Sequence, residues 1–197
     1  CKFKPRSYQV EGVYDALRHN RKLLISPTAS GKSLMIYSIV RYFVEKGKNT
    51  LIVVPTTSLV EQMYKDFADY GWDVGSFCHK IYAGKERETD SQVIITTWQS
   101  IYKLPRKYFE RFSVVIGDEA HQFKSKSLVS IMTKLADAKY RYGFTGTLDG
   151  TQTHKWVLEG LFGPSYKIIK TEELMKKGHV ATLDINVLLL KHSPKKF

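Results

Sequence analysis

Short apolar runs recur along this chain, and between them the apolar residues spread out to a helical spacing. Lys22-Leu23-Leu24-Ile25-Ser26, Leu51-Ile52-Val53-Val54, Val93-Ile94-Ile95, Phe112-Ser113-Val114-Val115-Ile116-Gly117 and Tyr140-Arg141-Tyr142-Gly143-Phe144 are too short for helices and rich in β-branched or aromatic residues. They predict strands near 22–26, 50–54, 93–97, 113–118 and 140–145. From Lys32 to Lys46, by contrast, Leu34, Met35, Ile39, Val40 and Phe43 fall on one helical face. The spacing predicts helices near 8–18, 32–46, 58–70, 98–103, 126–136 and 154–162. Strand and helix alternate, which argues for an α/β domain: a mostly parallel sheet with helices on both faces.

Between these elements, Gly71 to Asp90 is polar and punctuated by glycine, with a short strand at Lys80-Ile81-Tyr82 and an exposed turn at Glu86-Arg87-Glu88-Thr89-Asp90. After Gly160-Leu161-Phe162-Gly163-Pro164 the pattern changes. Thr171 to Gly178 reads as a short helix with a glycine stop, Leu183 to Leu190 as a strand, and Ser193-Pro194-Lys195-Lys196 as the start of a linker. The expected division is one domain over 1–170 and a segment over 171–197 that leads out of it.

Two polar segments interrupt the pattern where an α/β sheet places its ligands, at the carboxyl ends of strands. Pro27-Thr28-Ala29-Ser30-Gly31-Lys32-Ser33 lies between the first strand and the helix after it. A loop in that position aims backbone N–H groups at an anion, and the helix N-terminus adds positive partial charge. Lys32 can reach the outer phosphates of a triphosphate, and the Ser33 hydroxyl can ligate Mg²⁺. Ser26 stands where the usual phosphate-loop pattern has its first glycine; it is small, and Gly31-Lys32-Ser33 is intact. Asp118-Glu119-Ala120-His121 follows the fourth predicted strand. There Asp118 can hold Mg²⁺ while Glu119 orients and activates a water as general base. Taken alone, Asp-Glu-Ala is also ordinary composition for the first turn of a helix.

The ordered motifs resemble the first motor domain of a superfamily-2 helicase. Pro5-Arg6-Ser7-Tyr8-Gln9 is similar to that family's adenine-recognition element, Pro27 to Ser33 to motif I, and Pro55-Thr56-Thr57-Ser58-Leu59-Val60-Glu61-Gln62 to motif Ia. Thr96-Thr97-Trp98-Gln99-Ser100 resembles motif Ib, Asp118 to His121 motif II, and Thr145-Gly146-Thr147 motif III. The resemblance implies a RecA-like P-loop NTPase domain that uses ATP and Mg²⁺. It implies Lys32, Asp118, Glu119 and His121 as catalytic, Ser33 and Asp118 as metal-holding, and Arg6, Gln9 and Pro27 to Ser33 as nucleotide-binding. Pro55, Thr56, Thr57, Thr96, Thr97 and Gln99 would contact nucleic acid, and Thr145, Gly146 and Thr147 would couple the two sites through a hydrogen bond with His121. Two residues depart from the family: Ala29, where glycine is more frequent, and Gly117, where the strand more often carries an apolar residue.

Each lesser motif also has a plainer reading. Gln9 can be a surface residue of its helix, although a Gln amide can both donate to and accept from an adenine edge, and Arg6 can stack on the ring. The threonines can be strand ends and caps as well as phosphate contacts, since Thr suits both places. Thr145-Gly146-Thr147 can be a glycine turn.

Charge adds to this picture. The 197 residues carry 31 Lys and Arg and a formal net charge of +12, which favours a polyanionic partner. Lys103, Arg106, Lys107 and Arg111, set around Tyr102, Tyr108 and Phe109, can track a phosphate backbone or simply form a solvated helix face. No run approaches the roughly 18 apolar residues of a membrane span, so no membrane partner is expected and a soluble, intracellular protein is. Cys1 and Cys78 lack metal-ligand spacing, and His19, His79, His154, His179 and His192 are dispersed.

The resemblance further implies DNA, more than RNA, as the polymer, with remodelling or unwinding of branched DNA as the task. It also implies a second RecA-like domain as partner, since that lobe supplies the arginine finger. The alternatives are a duplex translocase of restriction or chromatin type, an ATP-switched nucleic-acid clamp, and an RNA helicase. A monomer is expected, and so is weak ATP binding with slow turnover by these 197 residues alone.

Overall fold

The computed structural model describes residues 3–82, 89–122, 125–146 and 152–178. The strands are β1 (Arg21–Ile25), β2 (Thr50–Val54), β3 (Cys78–Ile81), β4 (Val93–Thr97), β5 (Val114–Gly117), β6 (Tyr140–Thr145) and β7 (Ser165–Lys167). They form one sheet in the order β3-β4-β2-β5-β6-β1-β7, with every pairing parallel. The helices are α1 (Ser7–Arg18), α2 (Lys32–Glu45), α3 (Thr57–Asp69), α4 (Val74–Phe77), α5 (Trp98–Ile101), α6 (Arg106–Phe109), α7 (Ser125–Lys134), α8 (Gln152–Phe162) and α9 (Thr171–Lys176), with a 3₁₀ turn at Ala120–Gln122.

The burial of the strands explains the parallel sheet. Every residue of β2, β4 and β5 is buried, which requires helices on both faces. Successive side chains point to opposite sides. Leu24, Ile52, Val54, Ile95 and Ile116 pack with the apolar stripes of α1, α2 and α3 in one core. Leu23, Leu51, Val53, Ile94 and Val115 pack with Ile101, Phe109, Leu128, Leu158 and Phe162 in the other, beneath α5 to α8. The doubly wound α/β fold read from the sequence is the observed one.

The strand order also fixes where ligands can go. The sequence neighbours β1 and β2 are separated by β5 and β6, so the helices that follow them diverge at the carboxyl rim. A crevice opens at such a reversal. The phosphate-loop segment leaves β1 there, the acidic segment leaves β5, and the end of β6 lies between them.

Several elements differ from expectation. The short strand predicted at Lys80-Ile81-Tyr82 begins earlier, at Cys78, where it pairs with Val93. The one-turn helices α4 and α6 and the edge strand β7 escaped the sequence reading because four residues or fewer show no periodicity. The helix read at 171–178 is present as Thr171–Lys176; Glu172 and Glu173 favour its first turn, and Gly178, with φ +65°, stops it. The strand and linker read at Leu183–Leu190 and 193–196, and most of the turn at 86–90, lie outside the described residues.

Gly117 and Gly143 face each other across β5 and β6. At Gly143 a Cβ would stand 2.7 Å from Leu23 Cδ1 and 2.9 Å from the Phe162 ring, both fully buried. Gly143→Ala therefore forces α8 off the sheet and is expected to destabilise the chain by about 1–3 kcal/mol, the usual cost of overpacking. Urea unfolding checks this; an unchanged midpoint contradicts the packing.

Candidate functional site

The phosphate-loop segment is shaped by its own side chains. Ser26 Oγ donates to Ser30 Oγ at 2.6 Å, both residues being fully buried, and the Ser26 N–H is held by Thr145 O at the end of β6 at 2.9 Å. The serine at the first glycine position thus ties the loop shut. Ala29 (φ +64°) and Gly31 (φ +78°) both occupy the left-handed region, which turns the loop into a concave cradle of amides ahead of α2. For Ala29 that conformation costs about 1 kcal/mol. Among the described residues one other non-glycine has positive φ: Glu119, at +47°. Backbone strain is thus confined to the two segments singled out for chemistry.

Those two segments meet. Lys32 Nζ lies 3.0 Å from Glu119 Oε1, with both side chains largely enclosed. Asp118 is only 6% exposed, and its Oδ1 accepts the Glu119 N–H at 2.9 Å. Burial, reinforced by the Glu119 charge, pushes the Asp118 carboxyl up to about 6, against the pull of Lys32 and that amide. A carboxylate buried with so little compensation is suited to a cation. Asp118, Glu119, Lys32, Ser33 and Gly31 line a cavity of about 230 Å³. Ala29 and Asp66 line it as well.

His121 Nδ1 lies 2.8 Å from Thr145 Oγ1 and 3.5 Å from the second oxygen of Glu119. Gly146 follows Thr145 and sits over the loop, close enough that a Cβ there would stand 3.8 Å from both Lys32 Nζ and Thr28 Oγ1. Thr147 lies outside the described residues. His154 Nε2, 3.1 Å from His121 O, steadies the turn from α8.

On the other side of the loop, Gln9 is buried rather than a surface residue of α1. Its Oε1 accepts the Arg6 N–H at 2.8 Å, and its Nε2 donates to Ser30 O at 2.9 Å, where the Tyr8 hydroxyl also donates. The Arg6 guanidinium donates to the Tyr8 hydroxyl at 3.0 Å. Arg6, Gln9, Ala29 and Gly31 border a second cavity, of about 290 Å³, beside the first. Pro27 and Thr28 complete the loop between β1 and Ser30.

A third recess, of about 360 Å³, is lined by Pro55, Thr56, Thr57, Thr97, Gln99 and Ser100. The Thr56 hydroxyl accepts the Leu59 N–H as the cap of α3, Thr57 is exposed, Thr97 Oγ1 pairs with Ser100 Oγ at 2.9 Å, and Gln99 donates to Pro55 O at 3.3 Å. Thr96 is a correction. It is fully buried within β4, and its hydroxyl donates to Thr97 O at 3.2 Å, so strand alternation turns it away from this surface. Of the basic group after it, Lys103, Arg106 and Lys107 are exposed, as a solvated helix face has them, and Arg111 is committed to backbone. The Arg111 guanidinium donates to the carbonyls of Thr89 and Ser91, Arg106 lies 3.6 Å from Asp137, and Phe109 is core.

Two residues at the site were not foreseen. Tyr70, which ends α3, places its hydroxyl 2.7 Å from Ser33 Oγ, and Asp66, one turn earlier, lines the same cavity as Ser33. Asp66 and Tyr70 stand four apart on one helical face, but nothing in the sequence says that this face meets the phosphate loop.

The chain resembles known proteins along most of its length. It is 34% identical over 197 residues to the ATP-dependent DNA helicase uvsW of Enterobacteria phage T4, covering 97% of this chain and 39% of that protein. It is 30% identical over 177 residues to the DNA 3'-5' translocase XPB2 of Sulfurisphaera tokodaii, covering 89% of this chain and 38% of that protein. The crystal structure of T4 UvsW superposes with a TM-score of 0.78 at 34% identity, over 87% of this chain and 36% of that one. The chain thus spans about two-fifths of the length of these relatives. The model of the family described as Type III restriction enzyme, res subunit, matches residues 2–150, a segment that holds every motif from Gln9 to Thr147. The chain belongs to that family and has its RecA-like motor fold.

Proposed function

We propose that residues 1–170 are the ATP-binding lobe of a superfamily-2 DNA helicase or translocase that remodels or unwinds branched DNA, and that 171–197 lead toward a second RecA-like lobe. The observation that carries this reading is the 3.0 Å contact between Lys32 and Glu119 beside the buried Asp118, at the rim where β1, β6 and β5 end. An ammonium, two carboxylates and a cradle of amides around one cavity suit a metal-bound triphosphate and little else. The helicase uvsW and the translocase XPB2, both DNA motors by name, support the choice of polymer.

Each residue then has a task. The amides from Ala29 to Ser33 bind the phosphates, and Lys32 exchanges Glu119 for the outer phosphate. Mg²⁺ fits here because Ser33 and Asp118 offer few protein oxygens, as an ion that keeps its waters and binds substrate phosphates needs; it would neutralise charge on the β- and γ-oxygens. Glu119, freed from Lys32, positions and activates the attacking water. His121 holds Thr145, so a change at Glu119 reaches the end of β6 and Gly146 without any proton transfer by the imidazole. Arg6 and Gln9 border the pocket for the base. The recess at Pro55, Thr56, Thr57, Thr97 and Gln99 takes a nucleic-acid backbone, with hydroxyls and the α3 N-terminus as donors to phosphate.

Three outcomes are expected. Lys32→Ala weakens ATP binding by about ten- to a hundredfold, the worth of a charge-assisted contact, while Glu119→Gln, which releases Lys32, strengthens it. Equilibrium titration of the chain with ATP measures both, and a Lys32→Ala chain that binds like the parent contradicts the site. Asp118→Asn removes a buried charge and keeps an acceptor for the Glu119 amide, so the ligand-free chain gains about 1–2 kcal/mol in urea unfolding while Mg²⁺ loses its effect on ATP binding. In a polypeptide that joins this lobe to a second one, forked DNA stimulates ATP turnover more than duplex, single strands or RNA. Stimulation by duplex alone favours a translocase, and indifference to every polymer contradicts a nucleic-acid motor.

A further inference from the structure

The last turn of α3 touches both halves of the proposed nucleotide site. Tyr70 forms part of the wall of the cavity bordered by Arg6 and Gln9, and Asp66 lines the cavity that holds Lys32, Asp118 and Glu119. Ser33 lines the second of these cavities beside Asp66, and its hydroxyl lies 2.7 Å from Tyr70 OH in the wall of the first. A serine hydroxyl has one proton to give. Either hydroxyl can donate in that contact, and in both cases one hydrogen-bonding position of Ser33 Oγ is taken by Tyr70. The Ser33 hydroxyl is thus engaged by the residue that ends α3 rather than turned toward a cation.

The Tyr70 ring is not held only by that bond. It meets Phe3 edge-on at 5.5 Å and Tyr37 at 5.2 Å, and Phe3 belongs to the same cavity wall as Tyr70. A planar base entering that cavity, beside Arg6 and Gln9, must pack against the Tyr70 ring or move it. The hydroxyl moves with the ring, because the phenol is rigid beyond its two side-chain torsions.

We propose that Tyr70 is a nucleotide-positioning residue: its ring walls the base pocket while its hydroxyl holds Ser33 Oγ, so entry of the base and release of Ser33 toward the metal-bearing phosphates are one event. This inference rests on the nucleotide-site reading above and adds to it a specificity device. A triphosphate without a base fills the loop but leaves Tyr70 on Ser33, and so gains less from the metal. The N-terminus of the same helix carries Thr56 and Thr57 at the recess proposed for nucleic acid, so a shift of α3 is felt at both ends.

The test compares ATP with inorganic tripolyphosphate, each titrated into the chain with and without Mg²⁺. Wild type, Tyr70→Phe, Ser33→Ala and the double variant are measured, with thermal unfolding to show that each folds. Chelation of Mg²⁺ by the free ligands is common to all the proteins and cancels. In wild type, Mg²⁺ tightens ATP more than tripolyphosphate. In Tyr70→Phe, where the ring stays and the hydroxyl goes, tripolyphosphate gains the missing enhancement, about two- to tenfold, the worth of one neutral hydrogen bond. In a Ser33→Ala background the same change has no effect. Equal Mg²⁺ enhancement in wild type and Tyr70→Phe overturns the proposal, as does a Tyr70→Phe effect that survives Ser33→Ala. Lys32→Ala separates the two readings: if ATP binding ignores Lys32, the nucleotide site itself is wrong, whereas Lys32-dependent binding without a Tyr70 effect overturns only the role of Tyr70.

Discussion

One electrostatic constraint organises this lobe: two adjacent carboxylates must be kept at the rim of a sheet with a single ammonium to balance them. Asp118 is nearly enclosed, and its charged form is disfavoured by burial and by Glu119 beside it. Lys32 lies 3.0 Å from Glu119 and is the nearest remedy. That remedy is partial, because one cation shared by two acids in a low-dielectric pocket leaves charge uncompensated. The site is therefore strained in the electrostatic sense, as it is in backbone at Ala29 and Glu119. A metal-bound triphosphate would relieve it by giving Lys32 a phosphate and Asp118 a cation.

The sheet makes that arrangement possible at small distances. With β6 lodged between β1 and β5, the phosphate loop and the acidic segment are two strands apart rather than adjacent, and the gap is closed by residues from the end of β6. Thr145 does this twice, through its carbonyl to the Ser26 amide and through its hydroxyl to His121. A disturbance at either segment must therefore pass through the strand between them. Through it, a change at Glu119 reaches His121, Thr145 and Gly146 by direct contacts.

Legibility in the sequence followed the physics of each signal. Strands buried on both faces betray themselves as unbroken apolar runs, and Leu51 to Val54 or Val93 to Ile95 could hardly be anything else. The phosphate loop and acidic segment were readable because their chemistry needs particular residues in a fixed local order. The one-turn helix Val74–Phe77 and the three-residue strand Ser165–Lys167 left no period to read. Thr96 misled because adjacent threonines at a strand end look alike, while alternation sends Thr96 into the sheet and leaves Thr97, itself buried, lining the recess. Arg111 misled because a basic residue near aromatics suggests a phosphate track, yet its fork matches the carbonyls of Thr89 and Ser91. Asp66 and Tyr70 were invisible for a different reason: which face of α3 crosses the phosphate loop is decided by packing against α2.

The central claim is that the phosphate loop and the acidic segment hold one metal ion between them. The most direct measurement replaces Mg²⁺ by Mn²⁺ and locates it by anomalous diffraction in crystals of the chain grown with a non-hydrolysable ATP analogue. The account predicts a single Mn²⁺ ion between Ser33 and Asp118, on the phosphate side of Lys32. A metal bound with the analogue elsewhere on the lobe, or phosphates seated away from the amides of Ala29 to Ser33, would contradict it.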